Sequence, residues 1–238
     1  MRRSGSEVLT RMTTIALLSA LGFVLMSFVR FPYPLAPWLM VEISDVVVLV
    51  AYAMYGFTGG IAVAVLKTGL DMAVYGLTGV YGIGNITALI TSLMFVLILF
   101  ITSHLLKWFK KGLGFRVLSY LVITLFVAVV LTLANELFIT PTYLSGKFTT
   151  CFDSETVKMV IDGFNKMGVK GDSYFWLITL IYFPFNLLKG AMVTAIYEIL
   201  FNRLIFVFMS RSPKMKKYFL GSIFKKEDTE KTEEKTNE

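Results

Sequence analysis

The chain has 238 residues, of which 56% are hydrophobic and 16% are charged, with a formal net charge of +7. Soluble globular domains are closer to roughly 45–50% apolar and about 25% charged, so this composition indicates a membrane protein. The positive charge is typical of cytoplasmic loops and does not indicate nucleic-acid binding. A single cysteine (Cys151) and a single histidine (His104) exclude a disulfide framework and a Cys/His metal cluster.

Six apolar segments are candidates for membrane spans, each of which needs roughly 20 mostly apolar residues. Gly56, Gly59 and Gly60 separate the second segment from the third. Pro141 ends the fifth, and Pro184 is a kink point in the long sixth. We therefore predict an all-α membrane protein with six transmembrane helices at residues 12–29, 44–55, 58–75, 84–106, 117–139 and 174–209.

Charge asymmetry predicts the orientation, because six spans place both termini on one side and Lys and Arg are enriched in cytoplasmic segments. The terminal side carries 12 Lys and Arg before the tail, against 5 on the other side. Both termini are thus predicted to be cytoplasmic, in a multi-pass protein of the cell membrane. Residues 1–217 form the predicted membrane domain, and the charged tail 218–238 is predicted to be disordered. The 12 are Arg2, Arg3, Arg11, Lys107, Lys110, Lys111, Arg116, Arg203, Arg211, Lys214, Lys216 and Lys217; the 5 are Arg30, Lys147, Lys158, Lys166 and Lys170.

The outer segment 31–42 contains three prolines and large apolar side chains. A simple connection would be shorter and more polar. The segment is either a lid that folds over a cavity or an interfacial loop whose Tyr33 and Trp38 lie at headgroup depth.

The outer segment 140–172 is also too long for a simple connection. Asp153 or Ser154 could cap a short helix within it. That helix would lie across the outer mouth of the bundle or at the membrane interface, and its apolar face would carry Val157, Val160, Ile161 and Phe164.

Several intramembrane polar residues have a structural interpretation. Lys67 and Asp71 are four residues apart in the third helix and could pair with each other. Asn85 could cap a helix, and Glu198 lies about one turn from Arg203. We expect these residues to stabilise the bundle.

Asn186 and Lys189 share one face of the sixth helix, too far from either end for the lysine to reach the headgroups. A buried ammonium needs an acceptor. Glu136 could supply it within the protein, and the neighbouring Asn135 could turn toward the same interior. Alternatively, the amides and the ammonium bind a ligand, and they suit a neutral heteroaromatic ring with carbonyl and imide groups. A structural polar network is the other interpretation.

In the first helix, Ala16 and Ala20 are four residues apart, with Gly22 just beyond. Small residues at this spacing let another helix approach closely. This face either packs inside the bundle or contacts a separate membrane protein.

Three segments of the chain form a recognisable set: IALLSALGFVL in the first helix, VEISDVVVLVAYAMYGFTGG after the proline-rich loop, and PFNLLKG in the sixth helix. Together they resemble the substrate-binding S components of energy-coupling factor (ECF) vitamin transporters, and the riboflavin-specific branch is the most similar. The resemblance covers about residues 10–210.

The resemblance implies a six-helix protein that binds a vitamin near the outer face. It also implies partners, namely a transmembrane coupling protein (T component) and two ABC-type ATPases that hydrolyse ATP. The chain itself would then have no enzymatic activity and no cofactor beyond its transported ligand. Ala16 and Ala20 match an alanine pair that contacts the coupling protein in this family.

The resemblance also implies a ligand site. Asn135, Asn186 and Lys189 match residues that hydrogen-bond the flavin ring in the riboflavin branch. The segment 31–42 matches a mobile cover, and its Leu39 and Met40 would lie nearest the flavin.

Riboflavin, and also its mononucleotide FMN, are therefore the predicted ligands. Thiamine and biotin are alternatives, although Lys189 disfavours cationic thiamine. A stand-alone secondary transporter would show an internal repeat and coupling-ion sites, and no convincing repeat relates the two halves. An intramembrane enzyme is disfavoured because no nucleophile–base or metal-ligand spacing occurs.

Overall fold

The computed structural model describes residues 5–201, apart from the side chains of Glu7, Trp38, Lys110 and Lys111. The predicted end of the last helix at residue 209 and the predicted tail 218–238 lie outside this part. The described chain is helical except for one hairpin, which lies in the segment predicted to be outer. Its elements are α1 (Gly5–Phe28), β1 (Arg30–Tyr33), β2 (Ala36–Glu42), α2 (Asp45–Tyr55), α3 (Phe57–Tyr75), α4 (Ile83–Phe100), α5 (Leu113–Ala134), α6 (Thr140–Ser145), α7 (Ser154–Lys166) and α8 (Tyr174–Leu200).

Five helical stretches are long and apolar enough to cross a membrane. The predicted second span is the exception, because α2 has only 11 residues. At 1.5 Å per residue it is about 16 Å long, roughly half of the hydrocarbon thickness. The predicted all-α membrane fold is confirmed, with five long helices and one half-length helix. The five stretches are Val8–Phe28, Phe57–Tyr75, Val80–Leu105, Leu113–Ser145 and Tyr174–Leu200.

The proline-rich outer segment forms an antiparallel hairpin of β1 and β2, in which Arg30 pairs with Glu42. Sequence analysis predicted a loop here, because prolines are poor strand residues except at sheet edges. The hairpin packs on α8: the Tyr33 ring lies 5.5 Å from that of Phe185 in an edge-on arrangement. Tyr33 is buried in the protein, which favours the lid alternative over a freely standing headgroup anchor at this residue.

The prediction that the fifth helix ends before Pro141 is wrong, because the helical path continues through this residue. A π-helical turn (Asn135–Ile139) leads directly into α6, which contains the proline. A proline has no N–H to donate to the carbonyl four residues earlier. The backbone N–H of Cys151 donates to that carbonyl, at Leu137, over 3.0 Å. The returning outer segment therefore compensates for the bond that the proline cannot make.

The predicted short outer helix is confirmed as α7. Asp153 caps it by accepting from the Glu155 backbone N–H at 3.2 Å and the Thr156 hydroxyl at 2.6 Å. The Thr156 hydrogen bond lowers the pKa of Asp153. Val160 and Phe164 are buried in an apolar cluster with residues of the hairpin and α8. The helix thus packs against the outer end of the bundle.

At the other end, α5 and α8 are joined by polar contacts and close packing. Glu198 accepts from the Tyr120 hydroxyl at 2.5 Å and pairs with Arg116 at 3.1 Å, whereas Arg203 lies outside the described residues. A Cβ atom at Gly190 would lie 3.0 Å from the Thr124 methyl carbon and 3.2 Å from its Cα. This close approach fixes the position of the α8 segment that carries Lys189.

Candidate functional site

Two lysines and two carboxylates meet where β2, α2, α3 and α8 converge beneath the hairpin. We call Glu42, Asp45, Lys67 and Lys189 the charge cluster. Lys189 Nζ donates to Glu42 Oε1 at 2.6 Å and lies 3.3 Å from Asp45 Oδ2. Lys67 Nζ donates to Asp45 Oδ1 at 2.7 Å. Since two positive and two negative groups are present, the cluster is neutral overall.

Asp45 is the fixed centre of the cluster. It is the first residue of α2 and is 0% exposed, and a carboxylate at a helix N-terminus is favoured by the helix dipole. Its Oδ1 accepts from Ser92 at 2.5 Å as well as from Lys67. Lys67 also donates to Ser44 at 2.5 Å. One carboxylate oxygen is therefore saturated by donors from α3 and α4.

The predicted pair of Lys67 with Asp71 is wrong. Lys67 reaches across to α2, while Asp71 accepts from Asn85 at 2.8 Å and from Ser27 at 3.5 Å. Asn85 in turn accepts from the backbone N–H of Thr78 at 2.6 Å. Residues four apart on one helix can pair, but Lys67 instead bonds to Asp45 of the facing helix α2. Both side chains are fully buried, and the attraction between opposite charges is stronger in a low dielectric.

Lys189 has the acceptor that its depth requires, but Glu136 does not supply it. Lys189 lies 15 residues after the start of α8, or about 22 Å along the helix axis. Glu136 instead accepts from the Thr179 hydroxyl at 2.6 Å, and its backbone carbonyl accepts from the Tyr174 hydroxyl. Glu136 therefore joins the end of α5 to the start of α8.

Asn186 lies one turn before Lys189 and is only 4% exposed. Its amide Nδ2 has no hydrogen-bond partner among the described residues. Asp45 Oδ2 likewise receives no hydrogen bond, despite the ion-pair contact with Lys189. Buried polar groups are nearly always paired in native proteins, so these two atoms require an explanation.

Asn135 is buried but lies apart from Asn186 and Lys189. Its Nδ2 donates to the Leu131 carbonyl at 2.8 Å, and its Oδ1 accepts from Thr140 at 3.2 Å. Glu136, the residue after Asn135, accepts from Thr179 of α8. Thr179 is seven residues before Asn186, so this contact lies about 10 Å from Asn186 along the axis of α8. The structure therefore does not bring Asn135 together with Asn186 and Lys189.

The two predicted hairpin residues differ in their surroundings. Leu39 packs against the buried apolar cluster that includes Leu177 and Ile181 of α8. Met40 is 45% exposed. Glu42 lies on the same strand and bonds to Lys189. The strand β2 therefore contacts α8 through Glu42 as well as through the apolar cluster next to Leu39.

Ala16 and Ala20 lie on the exposed side of α1. Only 11% of the span Val8–Phe28 is buried. Ser19 and Gly22 are on the inner side, where a Cβ at Gly22 would lie 3.4 Å from the Lys67 side chain. The alanine pair is therefore not used in packing within the described bundle.

Sequence analysis missed Glu42 and Asp45. Glu42 was assigned to the outer segment 31–42, and Asp45, although inside the predicted span 44–55, was not included among the intramembrane polar residues. A useful signal was available: two acids three residues apart immediately precede the apolar run VVVLV. Lys67 and Lys189, which come later in the sequence, are intramembrane lysines that require acceptors, and these two acids are suitable ones.

The chemistry of this region is that of hydrogen-bond recognition. It offers amide donors, an ammonium and carboxylate oxygens beside aromatic rings. Within residues 5–201, no three His, Cys, Asp or Glu side chains gather so that they could hold a metal ion. The donors and acceptors of this region are of the kind that pair with a polar ring.

Comparison with known proteins gives two kinds of similarity. Riboflavin transporter FmnP of Bacillus subtilis (strain 168) is 26% identical over 195 residues, which cover 82% of this chain and 91% of that protein. Riboflavin transporter RibU of Staphylococcus aureus (strain TCH60) is 26% identical over 196 residues, covering 82% and 89%. A solved structure of the S component of a bacterial ECF transporter shares the fold, with a TM-score of 0.57 and 23% identity over 84% of this chain and 97% of the other.

The family model described as "ECF transporter, substrate-specific component" matches residues 10–201. This range includes the hairpin, the charge cluster and the exposed alanine pair. The chain therefore belongs to the substrate-specific components of ECF transporters, multi-pass membrane subunits that bind substrate and are not enzymes.

Proposed function

We propose that this chain is the riboflavin-binding subunit of an ATP-driven ECF uptake transporter, capturing the vitamin at the outer face of the cell membrane. The observation that carries the proposal is the similarity to two riboflavin transporters over about nine-tenths of their lengths. FMN, which has the same ring system, is a second ligand in this proposal. Thiamine and biotin are the alternative ligands, whereas the family match argues against a stand-alone secondary transporter.

The geometry beneath the hairpin supports a flavin. In this proposal the ring lies between β2, which carries Leu39 and Met40, and α8, which carries Asn186 and Lys189. Its carbonyl oxygens would accept from the unpaired Asn186 N–H and from Lys189. Asn135 lies nearer the start of α8 than Asn186 does, and it would bond to the more exposed part of the ligand. The hairpin would act as the cover, held by Glu42 and by the Tyr33–Phe185 contact.

Titration of the purified chain with riboflavin, thiamine and biotin tests the proposal. Flavin fluorescence is quenched when the ring is buried against aromatic side chains, so we expect saturable quenching with one riboflavin per chain. Thiamine and biotin should neither bind nor displace the flavin. Binding of either of these two, with no flavin binding, would overturn the proposal.

Asn186→Ala is expected to weaken riboflavin binding by about tenfold, the effect of one hydrogen bond in a water-excluded site. Its unfolding temperature should change little, because the amide N–H has no protein partner to lose. Asn165→Ala is the matched control, since that amide joins α7 to Gly171 at 3.1 and 3.2 Å, away from the site. Equal flavin affinities for Asn186→Ala and the unmodified chain would remove Asn186 from the site.

S components pair with a T component and ATPase subunits. We propose that Ala16 and Ala20 form the contact with the coupling protein, because both are exposed on α1 and small enough for close helix packing. Ala16→Trp and Ala20→Trp should retain riboflavin binding but prevent co-purification with the coupling and ATPase subunits. Leu125→Trp, at an exposed position of α5, should leave the complex intact. Survival of the complex in both alanine variants would place the interface elsewhere.

We also propose that both termini are cytoplasmic, on the basis of the Lys and Arg distribution. A cysteine introduced by Lys147→Cys in a Cys151→Ser background should react with a membrane-impermeant maleimide added to intact cells. A cysteine introduced by Ser6→Cys in the same background should react only after lysis. The reverse pattern would invert the orientation.

A further inference from the structure

We propose that Asp45 is a ligand-binding residue whose Oδ2 accepts a hydrogen bond from a neutral N–H or O–H group of the substrate. This inference rests on the proposed flavin-binding function and adds to it a specificity residue that sequence analysis did not identify. It starts from the one carboxylate oxygen of the charge cluster that receives no hydrogen bond.

The two oxygens of Asp45 have different roles. Oδ1 accepts from Lys67 at 2.7 Å and Ser92 at 2.5 Å, which fixes the plane of the carboxylate. Oδ2 has only the 3.3 Å ion-pair contact with Lys189, whose short hydrogen bond goes to Glu42. A carboxylate needed only for charge balance would have both oxygens bonded, because an unsatisfied buried acceptor is costly.

The position of Oδ2 also suits a ligand. Lys189, its neighbour, is the deepest of the predicted binding residues, and the Lys189 and Glu42 side chains keep 11% and 12% exposure while Asp45 has none. The unpaired Asn186 N–H is one turn away from Lys189 on α8. An unpaired acceptor thus lies beside the Lys189 ammonium, and an unpaired donor lies one turn earlier on the helix that carries this lysine.

This pair of atoms defines the complementary chemistry. A substrate that completes both must present an acceptor to Asn186 and a donor to Asp45. Ionised Asp45 cannot donate, so an anionic group at Oδ2 would be repelled. Riboflavin has two neutral donors of the required kind: the imide N–H of the ring and the hydroxyls of the ribityl chain.

The experiment combines changes in the ligand with a change in the protein. The purified full-length chain is titrated with riboflavin, with 3-methylriboflavin, which lacks the imide N–H, and with lumiflavin, which lacks the ribityl hydroxyls. The same three titrations are made with Asp45→Asn. Since Ser92 and Lys67 donate to Oδ1, the new amide will place its NH₂ group where Oδ2 was and can no longer accept.

For the unmodified chain we expect at least one analogue to bind about tenfold or more weakly than riboflavin. In Asp45→Asn the difference for that analogue should shrink to within about twofold. Asp162→Asn, at an exposed acid of α7, should keep the full difference. If Asp45→Asn does not fold, Asp45→Asn with Lys67→Met removes both members of the buried pair and serves in its place.

Unchanged ratios for both analogues in the Asp45 variant would overturn the inference, and so would equal affinities of all three flavins for the unmodified chain. Riboflavin binding would persist in either case, leaving the proposed function intact. A chain that binds none of the flavins would overturn both.

Discussion

Lys189→Met is expected to lower the riboflavin affinity by about 10- to 150-fold. The substitution keeps most of the side-chain volume but removes the ammonium that bonds to Glu42 at 2.6 Å and lies 3.3 Å from Asp45. A hydrogen bond from a charged donor contributes about 1.5–3 kcal/mol. The two carboxylates would also be left with one cation between them, so the floor of the site would become negative. The measurement is a fluorescence titration of the purified variant.

Two comparisons separate this effect from unfolding. Lys170→Met, at an exposed lysine of the outer segment, should bind riboflavin like the unmodified chain. Lys189→Met combined with Glu42→Gln restores neutrality to the cluster and should recover stability without recovering full affinity. A Lys189→Met protein that folds and binds riboflavin normally would show that the ammonium serves only to neutralise Glu42 and Asp45.

Lys67→Met is expected to produce the largest loss of stability. Lys67 and Asp45 are both 0% exposed, and removing one member of a buried ion pair typically costs about 3–5 kcal/mol. For a chain of this size, that corresponds to a fall of roughly 6–20 °C in the unfolding temperature. Thermal unfolding in detergent, followed by intrinsic fluorescence, measures the effect.

The matched variant is Asp45→Asn with Lys67→Met, which removes both charges together. Because no uncompensated charge remains, we expect most of the lost stability to return. Lys166→Met, at an exposed position of α7, should unfold like the unmodified chain. If the single and double variants unfold at the same temperature, the pair does not stabilise the bundle by charge compensation.

The helical framework was predictable because its signals are local. Apolar length identified the spans, and the cap at Asp153 with its spaced apolar residues identified α7. The hairpin was not predictable, because its strands contain prolines and are fixed by packing on α8. The continuation through Pro141 was missed for a similar reason: the donor that replaces its missing N–H comes from Cys151, ten residues further along the chain.

The candidate site divides in the same way. The spacing of Asn186 and Lys189 placed them on one face, and the depth of Lys189 predicted that it needs an acceptor. Which acceptor it takes depends on which helices face each other, and that information is not local. Lys67 was therefore assigned to its helix neighbour Asp71, and the true partner, Asp45, lies across the bundle.

A structure of the chain with riboflavin bound tests the central claim most directly. We predict the ring beneath the hairpin, with a carbonyl oxygen within about 3 Å of Asn186 Nδ2 and a second polar atom of the ligand within the same distance of Lys189 Nζ. A flavin bound elsewhere, with the Asn186 N–H still unpaired and Lys189 bonded only to Glu42 and Asp45, would contradict it.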